Sequence, residues 1–176
     1  MAATFPGGVK VFTTKQAGDQ IASAHINDLQ DEVVAVETTL GANPFTWQSY
    51  TVSWTAATTN PSIGNGTLSG RYVQIGKSVI YSIALVMGST TTYGSGIWRF
   101  SLPKLVANSS VRYIGQWRAY DASTGASYSG VTSLSSGNSG IIIFSRDQGS
   151  STLSNVVPFT WASSDELFVT IVYETE

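Results

Sequence analysis

The chain contains no cysteine, a single histidine and, among 176 residues, only 9 basic and 11 acidic side chains. Without cysteine there are no disulfides and no thiolate metal sites, so stability must come from packing or assembly. Charged residues make up 11% of the chain, against roughly 25% in average soluble domains. Ser, Thr and Gly supply the polar surface instead, a composition typical of β-rich extracellular surfaces and unlike a helical cytosolic enzyme. A net charge of −2 leaves no electrostatic footprint for nucleic acid. Long apolar runs are also missing. The longest, Val79 to Met87, is too short to span a bilayer and is interrupted by Ser82, so no membrane insertion is expected. The opening residues carry neither a basic region nor an apolar core, and no signal peptide is expected.

What is present begins with residues 23–44. Ile26, Leu29, Val33, Val36 and Leu40 are spaced three, four, three, four, the a/d seam of a coiled coil. Ser23 stands where an N-cap belongs, Gly41 at C′, and Pro44 blocks continuation. The spacing predicts one short helix built for oligomerisation, preceded by an arm (residues 1–22) that docks on a partner. Two heptads are too few to hold together unaided. Ile26 and Val33 at a suit a dimer while Val36 at d does not, so the seam alone leaves copy number open. A fold-back of the stripe onto the chain's own β domain is the competing arrangement. Residues 1–44 carry two lysines against five acids, a net −3, and the remainder carries +1. Asp28, Asp31, Glu32 and Glu37 have no basic partner on the helix and are read as a solvated face.

From Trp47 onward the pattern changes to short β-like runs divided by Gly, Ser, Asn and Pro clusters. Strands are predicted near 49–55, 70–75, 78–87, 96–101, 111–120, 127–134, 140–145 and 166–174, with a tight hairpin at Gly76-Lys77. In 111–120 the side chains of Val111, Tyr113, Trp117 and Ala119 should face the core, and Arg112, Gln116 and Arg118 the solvent. Val79 to Met87 is apolar on both faces, and so is Ile141 to Phe144, which should be central. The fold class is mainly β: an antiparallel, jelly-roll-like sandwich over 45–176, preceded by the arm and one coiled-coil-type helix.

Candidate chemistry is sparse. His25 falls at g, beside the seam, and one imidazole per chain falls short of a metal site; no metal or cofactor is implied. There is no G-x-S-x-G elbow. Gly64 to Gly70 lacks βαβ context and reads as a loop leading into a strand. Asp121, Asp147, Asp165 and Glu166 lie near strand ends, where a glycosidase-type carboxylate pair could form, but loop acids are usually solvated, and no catalytic residue is assigned. The tryptophans are read as core. Tyr93, Tyr120 and Tyr128, in or beside loops, are candidate ligand-binding residues.

The helix pattern Ser23, His25, Asn27, Leu29, Glu32, Val33, Ala35, Glu37, Leu40, Gly41 resembles a segment that follows the attachment arm in tailed-bacteriophage fibre and minor tail proteins. Trp54 to Tyr72, Gly76-Lys77, Trp98 to Pro103 and Asp165 to Glu174 resemble the β domain of short minor tail proteins from phages of actinobacteria. The match covers most of residues 20–176. It implies a non-enzymatic virion protein on the particle surface, a homotrimer, made in the host cytoplasm, held to other virion proteins through residues 1–22 and contributing to attachment at the host surface, with cell-wall glycan as a candidate ligand. A capsid decoration protein or head fibre is the second expectation, and a wall-polysaccharide hydrolase the third.

Overall fold

The computed structural model describes residues 7–8, 10–12, 14–41, 45–107, 111–135, 141–144 and 152–176. The chain divides into two compact units, Met1–Thr46 and Trp47–Glu176.

The first unit holds helix α1, Ser23–Gly41. Its start differs from the expected Ser23 cap. The Ala22 N–H donates to His25 Nδ1 at 3.0 Å, while the His25 N–H donates to the Ala22 carbonyl at 2.9 Å. Ala22 is therefore the N-cap residue, and His25 reaches back from N3 in the manner of a capping box. The expected stop at Pro44 lies outside the described residues. Before the helix, Asp19 closes a turn by accepting the Gln16 N–H at 2.9 Å.

The second unit is an antiparallel β-sandwich of nine strands among the described residues: β1 (Gln48–Tyr50), β2 (Trp54–Ala56), β3 (Thr67–Ile75), β4 (Ser78–Val86), β5 (Trp98–Ser101), β6 (Arg112–Asp121), β7 (Ala126–Ser135), β8 (Ile141–Phe144) and β9 (Glu166–Glu174). They hydrogen-bond in the order β1-β3-β4-β9-β6-β7-β8-β5-β2. The strand expected at 49–55 is in fact two, β1 and β2, and they sit at opposite ends of this order. Residues 51–53 carry the chain from one edge to the other. Both the Tyr50 hydroxyl and the Ser53 N–H donate to Ser101 Oγ at 2.8 Å, and the Ser101 N–H donates to the Ser53 carbonyl at 3.0 Å. Tyr50 at the end of β1 is thus tied through a side-chain bond to Ser101 of β5, near the opposite end of the strand order.

Period-2 patterning explains the layers. On β9, Leu167, Val169, Ile171 and Tyr173 are buried, while Phe168, Thr170, Val172 and Glu174 face outward. On β4, Val79, Tyr81, Ile83 and Leu85 are buried, and Met87 just beyond it likewise. Each such aliphatic side chain contributes about 1.5–3 kcal/mol through burial. β4 and β5 are not neighbours in the sheet, yet the Tyr81 hydroxyl donates to the Ser101 carbonyl at 3.1 Å across the core. Trp54 meets Trp98 edge-on at 4.8 Å, and Trp98 meets Trp161 at 5.0 Å. Four of the five tryptophans are core, as expected; Trp47 lies outside, under the Arg71 guanidinium.

On β6, Tyr113, Trp117 and Ala119 face inward and Arg112, Gln116 and Arg118 outward, as the alternation predicts. Val111 is exposed and precedes the strand, so it does not belong to the core face. The β3–β4 hairpin turns at Gly76-Lys77 with Ile75 opposite Ser78, and Gly76 takes the positive φ of 58° that the first position of a primed turn needs. β8 lies inside the sheet order, between β7 and β5.

Candidate functional site

The helix presents two parallel stripes one residue apart. His25, Asp28, Glu32, Ala35 and Thr39 form the covered stripe, and Glu32 is only 9% exposed. Ile26, Leu29, Val33 and Leu40 form the open one, each between 47% and 60% exposed, with Val36 half-buried. The polar stripe is thus the shielded one and the apolar seam the free one, the reverse of a helix that buries its hydrophobic face at home.

Lys10 explains part of this inversion. Its ammonium lies 3.5 Å from Asp28 and 3.6 Å from Glu32, with all three side chains 11–14% exposed. The expected solvated acidic face is therefore corrected for Asp28 and Glu32: the arm supplies a cation from well upstream in the sequence. Beside this contact, Phe12, Ile21, His25 and Leu29 line a groove of about 320 Å³. Val11, Phe12 and Ile21 are themselves exposed, so the arm extends the apolar surface of the seam.

The three candidate tyrosines go to different places. Tyr93 is half-buried against the core, and its backbone carbonyl accepts the Trp98 indole N–H at 2.9 Å. Burial, followed by the charge of Asp165, raises its phenol pKa. Tyr128 packs inward on Phe159, with ring centres 5.1 Å apart. Tyr120 lies on the outward face of β6, with the Arg118 guanidinium 5.7 Å from its ring.

Two of the four candidate acids converge on the β6–β7 turn. Buried Asp165 accepts the Ala122 N–H at 2.9 Å and the Ala162 N–H at 2.6 Å, one on each carboxylate oxygen. Asp121 Oδ1 accepts from the Ser123 N–H and hydroxyl at 2.9 and 2.7 Å and from the Thr124 N–H at 3.2 Å. These bonds, Ser123's first and then Thr124's, hold the Asp121 carboxyl below its ordinary pKa, the opposite of what a general acid needs. Both carboxylates fasten loops. Glu166 opens β9 half-buried, and Asp147 lies outside the described residues. Among the described residues no three His, Cys, Asp or Glu side chains gather as metal ligands, and no helix is long and apolar enough to cross a membrane.

A surface that sequence reasoning missed is the outward face of β3, β4, β9, β6 and β7. Cross-strand register lines up Arg71, Ser82, Thr170 and Gln116 in one row, and Ala84, Phe168 and Arg118 in the next. The available signal was Phe168 itself, an aromatic in the outward register of an otherwise regular alternation.

No family model matches the chain, and no solved structure matches it. It is similar to a Mu-like prophage FluMu defective tail fiber protein of Haemophilus influenzae, 27% identical over 125 residues. That stretch is 71% of this chain but 20% of the relative, so the chain spans about a fifth of the length of the curated protein it matches. The likeness is to a phage tail-fibre protein.

Proposed function

We propose that the chain is a structural, non-enzymatic component of a tailed-phage particle, of tail-fibre or minor-tail type. It assembles as a homotrimer through the α1 seam and displays its sandwich toward the host surface. The likeness to a prophage tail fiber protein carries the phage reading. The open seam carries the assembly reading: Ile26, Leu29, Val33 and Leu40 remain about half exposed while a polar stripe of the same helix is covered. Because isolated helices of this length are marginal, the sandwich supplies most of the trimer interface and α1 aligns the chains. In this reading residues 1–22 hold the protein to other virion proteins, the particle surface is its location, and a host cell-wall glycan is the candidate receptor.

Gold-labelled antibody against the sandwich, applied to intact particles of the source phage, tests this. Label at the tail end is the expected result. Label over the head would assign the chain to capsid decoration or a head fibre, and particles without label would contradict a virion role.

A further inference from the structure

The outward sheet face carries two adjoining shallow troughs of about 480 and 490 Å³ that share Phe168 and Thr170. Small side chains make the hollows: Ser69, Ser82 and Ala84 on one side of β9, Ser129 on the other. Phe168 lies between them, 39% exposed. One arginine stands on each side, and each is held in place. The Arg71 guanidinium stacks 4.6 Å from the Trp47 ring. Arg118 donates to Ser127 Oγ at 2.9 Å.

Three strand spacings separate β3 from β6, so the two arginines stand roughly 15 Å apart at the backbone. That is too wide for one carboxylate or one phosphate. It suits a chain carrying anionic groups at intervals. The side chains between are hydroxyls, an amide and a phenyl ring: Ser82, Thr170, Gln116 and Phe168. They offer hydrogen bonds to sugar hydroxyls and an apolar plate for a sugar's C–H face. No acid interrupts the path, since the acids in β9's outward register, Glu166 and Glu174, stand at the two strand ends.

We propose that this face binds an anionic polysaccharide chain, with Arg71 and Arg118 gripping separate carboxylate or phosphodiester groups along it and Phe168 supporting the chain between them. The proposal rests on the host-attachment reading and deepens it by naming the surface and the ligand's charge.

The test measures binding of the full chain to polygalacturonate, poly(glycerol phosphate) and neutral dextran, with adsorption to intact host cells in parallel. The expected result is salt-sensitive binding of at least one anionic polymer and none of dextran; which polymer binds separates carboxylate from phosphodiester. Arg71→Gln with Arg118→Gln, and separately Phe168→Ser, should weaken binding about tenfold or more, with native mass and melting unchanged and Lys77→Gln inert. Failure to bind either anionic polymer, equal binding of dextran, or variants that bind like the parent would overturn the proposal. So would a drop in native mass in the arginine variant, which would make the face an interface between copies. Cells that adsorb parent and variants alike sink this site and leave attachment standing. Arginine-dependent polymer binding without cell adsorption keeps the site and sinks attachment.

Discussion

Lys10 reaches Glu32 at 3.6 Å, and the next residue along the helix, Val33, is left 47% exposed. The arm brings a cation to Asp28 and Glu32 on one stripe of α1 and leaves the apolar stripe beside it open. A seam that is open in the single chain, next to a stripe already satisfied, is what an assembly helix requires.

Lys10→Ala would remove the ammonium that lies 3.5 Å from Asp28 and 3.6 Å from Glu32. The first unit should lose about 1–3 kcal/mol. Faster protease cleavage within residues 10–41, with an unchanged sandwich melting transition, is the expected outcome. Equal cleavage of variant and parent would mean that the pair contributes nothing.

Gly130 is set by Trp117. The two are register partners, and a Cβ on Gly130 would stand 2.8 Å from Trp117 Cζ2. The indole is buried and donates to the Val131 carbonyl at 3.2 Å, so it has little room to move. Gly130→Ala should cost about 1–3 kcal/mol in denaturant unfolding. A neutral result would show the indole free to shift.

Asp165→Ala should lower the melting temperature by orphaning the Ala122 and Ala162 N–H groups, at about 1–3 kcal/mol for a buried donor left unmade. A catalytic role makes the contrary demand: sugar released from host walls by the parent and lost in this variant at unchanged stability.

Tyr81 and Tyr173 set an alkaline limit. Burial, then the neighbouring phenols Tyr50 and Tyr173, pushes Tyr81 above its ordinary pKa, and burial does the same to Tyr173. In each case the fold favours the neutral phenol. Their contribution is fully present below about pH 10, the unfolded value, and is lost as pH rises beyond it. Stability should fall steeply above that pH, and Tyr81→Phe should flatten the fall while losing about 1 kcal/mol at neutral pH with its bond to Ser101. A flat profile to high pH would contradict this.

The local part of the fold was legible. Three-four spacing marks α1, and strict alternation marks β4, β6 and β9, because each is a short-range consequence of one buried face. The division of 49–55 was not legible, since Thr51, Val52 and Ser53 continue the alternation while the chain leaves one sheet edge for the other. Only the long-range partners of Tyr50 and Trp54 reveal it. The Lys10 pairing and the Ala22 cap depend on how the arm folds back and on a histidine serving as acceptor, neither of which residue type announces. The Arg71–Phe168–Arg118 face joins residues from three strands, and only the sheet order makes them neighbours.

The central claim is that the seam joins copies of this chain. The most direct test is native mass of the purified parent and of Val33→Asp, with circular dichroism to show that the sandwich remains folded. Three copies for the parent and a lower native mass for the folded variant are expected, because the substitution forces unpaired charge into the seam. A monomeric parent, or a folded Val33→Asp variant of unchanged mass, would contradict it.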